Sequence, residues 1–125
     1  MIKVRVLQVN TDPQNIEELS AAVAAGHTEE AGWQMPRDSV PGDLVVWYAA
    51  GRQRHVACGF VDSSPVKVDQ GFGPYCGQVA AVQRIEEVDR KKVLHECGVD
   101  GGRQGYQTVK DEIAADFLRS VGLLA

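Results

Sequence analysis

Apolar and polar positions alternate from the second residue. Ile2, Val4 and Val6 stand against Lys3 and Arg5, a period of two that predicts a strand over 2–9. Asp12-Pro13 then offers an N-cap followed by a residue suited to the first helical position. Ile16, Leu19 and Val23 recur at helical spacing and Gly26 supplies a stop, so a helix is expected between them. Glu17 and Glu18 lie near its positive end, where they stabilise it. Residues 27–42 are broken by Gly32, Pro36 and Pro41 and read as a long loop carrying Trp33. Pro41-Gly42-Asp43 turns into a strand over 44–49. In "VPGDLVVWYAAG" (40–51) that strand ends on Trp47 and Tyr48, whose side chains leave on opposite faces.

"GRQR" (51–54) is a polar hairpin connection to a strand over 55–61, with Gly59 near its middle. A glycine there marks a bulge or a close backbone approach. Residues 62–77 read as irregular, with a short edge strand at 65–68. A long strand over 78–88 is expected to bend at Ala80-Ala81. Asp89 caps a short helical turn reaching Cys97, and "GVDGGRQGY" (98–106) is a glycine-rich connection. Thr108 reads as the cap of a final helix, with Ile113, Ala114, Phe117, Leu118 and Val121 on one face and Gly122 ending it. Strands interleaved with hairpins and a terminal helix place the chain in the α+β class, with the sheet curled into a small barrel. Its 125 residues fit one domain over 1–125.

Composition changes this picture little, with 44% hydrophobic and 24% charged residues. No apolar run is long enough to span a bilayer. The alternating start differs from the basic-then-apolar pattern of a signal peptide. A cytoplasmic protein without a membrane partner is the expectation. Cys58, Cys76 and Cys97 are an odd number with no Cys-x-x-Cys pair, which argues against a disulfide framework or a thiolate zinc site. The net charge of −4 gives no global attraction to nucleic acid. Charge is unevenly spread, however. Between Arg5 and Arg37 there are five acids and no Lys or Arg, and most basic residues fall later.

Candidate chemistry is sparse. There is no Gly-x-Ser-x-Gly, and His27, His55 and His95 form no zinc-binding pair. His95-Glu96-Cys97 are neighbours in sequence, which do not face each other on a helix. "DGGRQG" lacks the Gly-Lys-Ser/Thr of a phosphate loop. No catalytic residue, metal or cofactor is therefore expected. The aromatic residues say more. Phe60 and Phe117 fit core positions, whereas Trp33, Tyr75 and Tyr106 fall on loops, and Trp47 and Tyr48 at a strand end. Such rings stack on nucleobases at about 1–3 kcal/mol per base, and polar edges then read the base.

Several segments, taken in order, resemble the EVE domain family of PUA-like barrels, relatives of the YTH readers of modified RNA bases. They are "VLQVNTDPQN", "GWQMPRDSVPGD", "LVVWYAAG", "HVACGFVDSS", "GQVAAVQRIEEV" and "GGRQGYQTV". The resemblance implies a small mixed β-barrel flanked by helices and an aromatic-lined pocket. That pocket would take a modified base of DNA or RNA without catalysis. It assigns ligand contacts to Asn10, Trp33, Tyr48, Arg103 and Gln104. Trp47 and Tyr106 join them as ring-bearing candidates, and Arg52 and Arg54 as contacts to the nucleic-acid backbone. Ala49-Ala50, His55 and Cys58 depart from the family pattern. Tyr48 is expected to face the pocket and Trp47 the outer layer. Two further readings accompany this one. One is a small hydrolase using Cys97, His95 or Lys92. The other is an interaction domain docking through the Trp33 loop. Nothing in the sequence fixes an oligomeric state.

Overall fold

A computed structural model describes residues 2–68, 75–103 and 105–125. Eight strands and three helices are seen among them, in the order β1 (Val4–Val9), α1 (Pro13–Ala25), β2 (Trp33–Gln34), β3 (Leu44–Ala49), β4 (Arg54–Val61), β5 (Val66–Lys67), β6 (Tyr75–Gly77), β7 (Val79–Asp89), α2 (Arg90–Cys97), β8 (Tyr106–Val109) and α3 (Asp111–Ser120). Five strands form one sheet in the order β7-β4-β3-β1-β8, and three form a second, β2-β6-β5. β1 runs parallel to β3 and the other ladders are antiparallel. Among the described residues the ladders make two sheets and not one closed ring, so the expected barrel becomes two sheets. The two are joined where β6 runs into β7 through Gln78 alone, and an isolated bridge pairs His27, after α1, with Ala80 of β7.

Both faces of the larger sheet are covered, and this decides where every strand residue goes. On one face Leu7, Val9, Val45 and Trp47 pack with Leu19 and Ala22 of α1 and with Trp33 and Met35. On the other, Val4, Val6, Val46 and Tyr48 pack with Val93 of α2 and Phe117 of α3. The period of two therefore holds along β1 and β3, but it separates two cores instead of a core from solvent. Arg5 is correspondingly buried rather than solvated. Its guanidinium donates to Asp43 Oδ2 through Nε and Nη2 at 3.1 and 2.9 Å, and through Nη1 to Asp38 Oδ1 at 2.8 Å and Thr108 Oγ1 at 2.7 Å.

Local signals act as expected at several points. Asp12 accepts from the Gln14 N–H at the start of α1, and Gly26 ends it with φ 82°. Asp89 caps α2 through the Lys91 N–H, and Gly98 ends it with φ 77°. The β4–β7 register shifts between Cys58 and Phe60, and Ala81 takes φ 52°, so the bend falls at Ala81. Other expectations need correction. Thr108 does not cap α3: it lies in β8, paired with Arg5, where its hydroxyl serves that guanidinium. Lys110 precedes α3 without a side-chain cap, and Asp111 and Glu112 in the first turn favour the helix dipole instead. Trp33 lies in a short strand and not a loop. Phe60 is 45% exposed, because it pairs with Leu44 at the margin of the α3 face, where a hollow bordered by Leu118 and Leu123 stays open.

Candidate functional site

Two short strands and one helix leave an open cleft beside the end of β1. It has a volume of about 480 Å³ and is lined by Gln8, Asn10, Asn15, Glu18, Ala31, Gly32, Trp33, Gln34, Val68, Cys76 and Gly105. Gln8 comes from β1, Asn10 from the turn after it, and Asn15 and Glu18 from α1. Asn15 and Glu18 stand three apart, hence on one face of the helix. Gly32 makes the tight entry to β2: its φ is +73°, and a Cβ there would lie 2.5 Å from the Gly77 carbonyl oxygen. That close approach brings β2 against β6 and presents Trp33 and Gln34 to the cleft.

Carboxamides dominate the walls, and backbone donors hold several of them. Gln8 Oε1 accepts from the Gly105 N–H at 2.9 Å. Asn15 Oδ1 accepts from the Asn10 N–H at 2.8 Å, and Asn10 Oδ1 from the Asp12 N–H at 2.9 Å. Trp33 forms the floor: it is 6% exposed, and its ring meets that of Trp47 edge-on with centroids 5.5 Å apart. Burial raises the Cys76 thiol above its ordinary range, which keeps it protonated and a poor nucleophile at neutral pH.

The other expected residues are dispersed. Asn10 and Trp33 line the cleft. Trp47 does not; it is fully buried in the core beneath Trp33. Tyr48 is 2% exposed and sits on the opposite face of the sheet, 5.2 Å from the His55 ring between centroids. The expected orientation is thus reversed, since Trp47 and not Tyr48 lies on the cleft's side of the sheet. Helices α2 and α3 seal the Tyr48 side. Arg103 is exposed in a turn organised by Asp100, and Tyr106 is an exposed β8 residue paired with Leu7; neither lines the cleft. Gln104 lies outside the described residues. Arg52 is exposed, pairs with Glu87 at 2.7 Å and shares with Asn10 and Arg84 a smaller recess of about 90 Å³. Arg54 instead borders a charged hollow with Glu86, Glu87, Asp89 and Lys92.

Comparison with solved structures gives neighbours across almost the full chain. Protein Atu2648 from Agrobacterium tumefaciens matches at TM-score 0.65 with 16% identity, covering 97% of this chain and 94% of that one. Rpa0253 from Rhodopseudomonas palustris matches at TM-score 0.67 with 15% identity, covering 99% and 96%. The ASCH protein of Zymomonas mobilis matches at TM-score 0.60 with 10% identity, covering 98% and 99%. The chain shares their fold. It is an α+β arrangement like theirs, and the likeness does not single out the EVE family. No protein-family model matches the sequence, and no curated protein matches it.

Gln8, Asn15, Glu18 and Gln34 went unrecognised in the sequence. The usable signal was the pair Asn15 and Glu18 on the stripe of α1 that also carries buried Ala22. The glycine-rich turn had a different meaning from the expected one. A Cβ on Gly101 would lie 2.7 Å from Tyr48 Cδ2 and 2.8 Å from His55 Cε1, so the backbone there approaches a core ring and not a ligand. Arg90 clamps that turn through Asp100 at 2.7 and 2.9 Å, which holds the Asp100 carboxyl down at about 2. On α2, Lys92 pairs with Glu96 and the Cys97 thiol donates to the Val93 carbonyl; none of these residues, nor His95, lines the cleft. Among the described residues no cluster of His, Cys, Asp and Glu is arranged to hold a metal, and no helix is long and apolar enough to cross a membrane.

Proposed function

We propose that the chain is a non-catalytic module that holds a modified nucleobase, presented from single-stranded or locally opened DNA or RNA, in the cleft above Trp33. The observation that carries this reading is the lining itself. A hollow of about 480 Å³ with several carboxamides, one carboxylate and an indole floor offers edge-reading groups to a planar heterocycle. The raised Cys76 thiol supports binding over nucleophilic attack. The ASCH and PUA-like neighbours favour a nucleic-acid ligand. Asn10 belongs to both the cleft and the recess edged by Arg52 and Arg84. A strand whose base enters the cleft can therefore run its phosphates toward those two guanidiniums.

Titration of the protein with labelled single-stranded oligonucleotides at rising salt tests this. Binding is expected to weaken with a log–log slope of about −0.7 to −1.4, as for one or two neutralised phosphates of a single strand. Arg52→Ala with Arg84→Ala should flatten that slope. Gln34→Trp, which fills the cleft from an exposed position, should abolish binding without lowering the melting temperature. Salt-insensitive binding, or binding untouched by Gln34→Trp, would contradict the reading. Docking through an exposed Trp33 is disfavoured by the burial of that ring.

A further inference from the structure

We infer that the cleft selects a base carrying a fixed positive charge, as methylation of a ring nitrogen gives in N1-methyladenine or N3-methylcytosine. The inference rests on the nucleobase reading above and deepens it by naming the class of modification.

Its basis is the sign of the charge around the cleft. Among the described residues, Glu18 is the one charged side chain in the lining, and it is half-buried. A smaller hollow of about 50 Å³ adjoins the cleft, shares Glu18, Gly32 and Trp33 with it, and adds Glu29. Neither carboxylate makes an ion pair among the described residues. The chain between Arg5 and Arg37 holds no Lys or Arg to supply one. Trp33 lines both hollows, and its indole N–H meets no acceptor among the described residues.

Carboxamides offer both donors and acceptors, so they do not set the charge of a ligand. The two carboxylates do, because Coulomb attraction requires no particular donor placement. A neutral ring seated here takes water from Glu18 and returns no charge, and an anionic group is repelled. A cation is attracted by both carboxylates and by the electron-rich indole. Methylation at N1 of adenine or N3 of cytosine puts that charge inside the heterocycle. It also blocks the pairing edge, so the base is already unpaired, as entry to the cleft requires. The methylated base keeps ring or carbonyl acceptors for the Trp33 N–H, which a quaternary ammonium on a peptide lacks. On the other side of Asn10, the recess edged by Arg52 and Arg84 is basic. A positive base on a negative backbone thus meets the opposite charge at both ends.

Isomeric pairs test this. Single-stranded oligonucleotides of one sequence carry, at one central position, N1-methyladenine or its neutral isomer N6-methyladenine. A second pair carries N3-methylcytosine or the neutral 5-methylcytosine. At pH 7 the cationic member of each pair should bind at least about tenfold more tightly. Glu18→Gln with Glu29→Gln should shrink that preference to about threefold or less while the fold melts as before. Equal binding within the pairs, or preference for the neutral isomers, overturns the inference while base binding itself stands. So does a preference that the double substitution leaves unmoved. Tighter binding of a trimethyllysine peptide than of any oligonucleotide overturns it in favour of a protein ligand. Failure of every oligonucleotide to bind overturns the nucleobase reading together with the inference.

Discussion

Residue by residue, the most informative group is one that touches no candidate ligand. His55 is fully buried between Tyr48 and Phe117, with ring centroids at 5.2 and 5.6 Å. Neither ring nitrogen has a hydrogen-bond partner among the described residues. Burial alone lowers its pKa from 6.5 to about 4. The folded chain therefore binds fewer protons than the unfolded one between those values. Stability is complete above pH 6.5 and falls as the pH drops toward 4, by about 3 kcal/mol in all. His55→Phe should remove that acid loss and leave stability at pH 7 equal or higher, since two orphaned nitrogens vanish from an apolar setting. Thermal melts of both proteins at pH 7 and pH 5 check this. Parallel acid dependence in the two would refute it. The adjacent Trp47 and Tyr48 make a related point: alternation correctly sends them to opposite faces, yet it cannot tell that both faces are covered.

At the scale of elements, the long periodic segments were legible and the short pairings were not. β1, α1, β3, β4 and β7 follow from apolar spacing, an aspartate cap and glycine stops, all local properties. β2 and β6 are two and three residues long and exist only through each other, so no periodicity announces them. β8 was hidden because Thr108 looks like a cap in sequence but is recruited by Arg5, 103 positions away. The cleft suffered most from this. Its walls come from the ends of β1 and β2 and the first turns of α1, so Trp33 and Asn10 were visible and the carboxamides of Gln8, Asn15 and Gln34 were not. The Arg5–Asp43 pair joins these elements, because Asp43 also accepts from the Lys3 and Val40 N–H groups at 3.2 and 3.1 Å. Asp43→Ala leaves a buried guanidinium and two backbone donors short of their acceptor. It should cost about 3–5 kcal/mol in chemical denaturation. A loss within about 0.5 kcal/mol, typical of a surface site, would show that the network is dispensable.

For the molecule as a whole, two covered sheet faces leave function to the rim. The cleft opens where the smaller sheet fails to close over α1, and the acidic balance of the chain, −4, restricts attraction of a polyanion to local groups such as Arg52 and Arg84. Affinity for a bare backbone should then be weak, with base contacts supplying the selectivity. The most direct test is a nitrogen–proton NMR titration of the full chain with a single-stranded oligonucleotide, following the side-chain NH2 signals of Gln8, Asn10 and Asn15 and the Trp33 indole N–H. These four should shift together and saturate at one affinity, while the Tyr48 and His55 backbone signals stay in place. Shifts confined to α2 and α3, with the carboxamide signals unmoved at saturation, would contradict the cleft as the binding site.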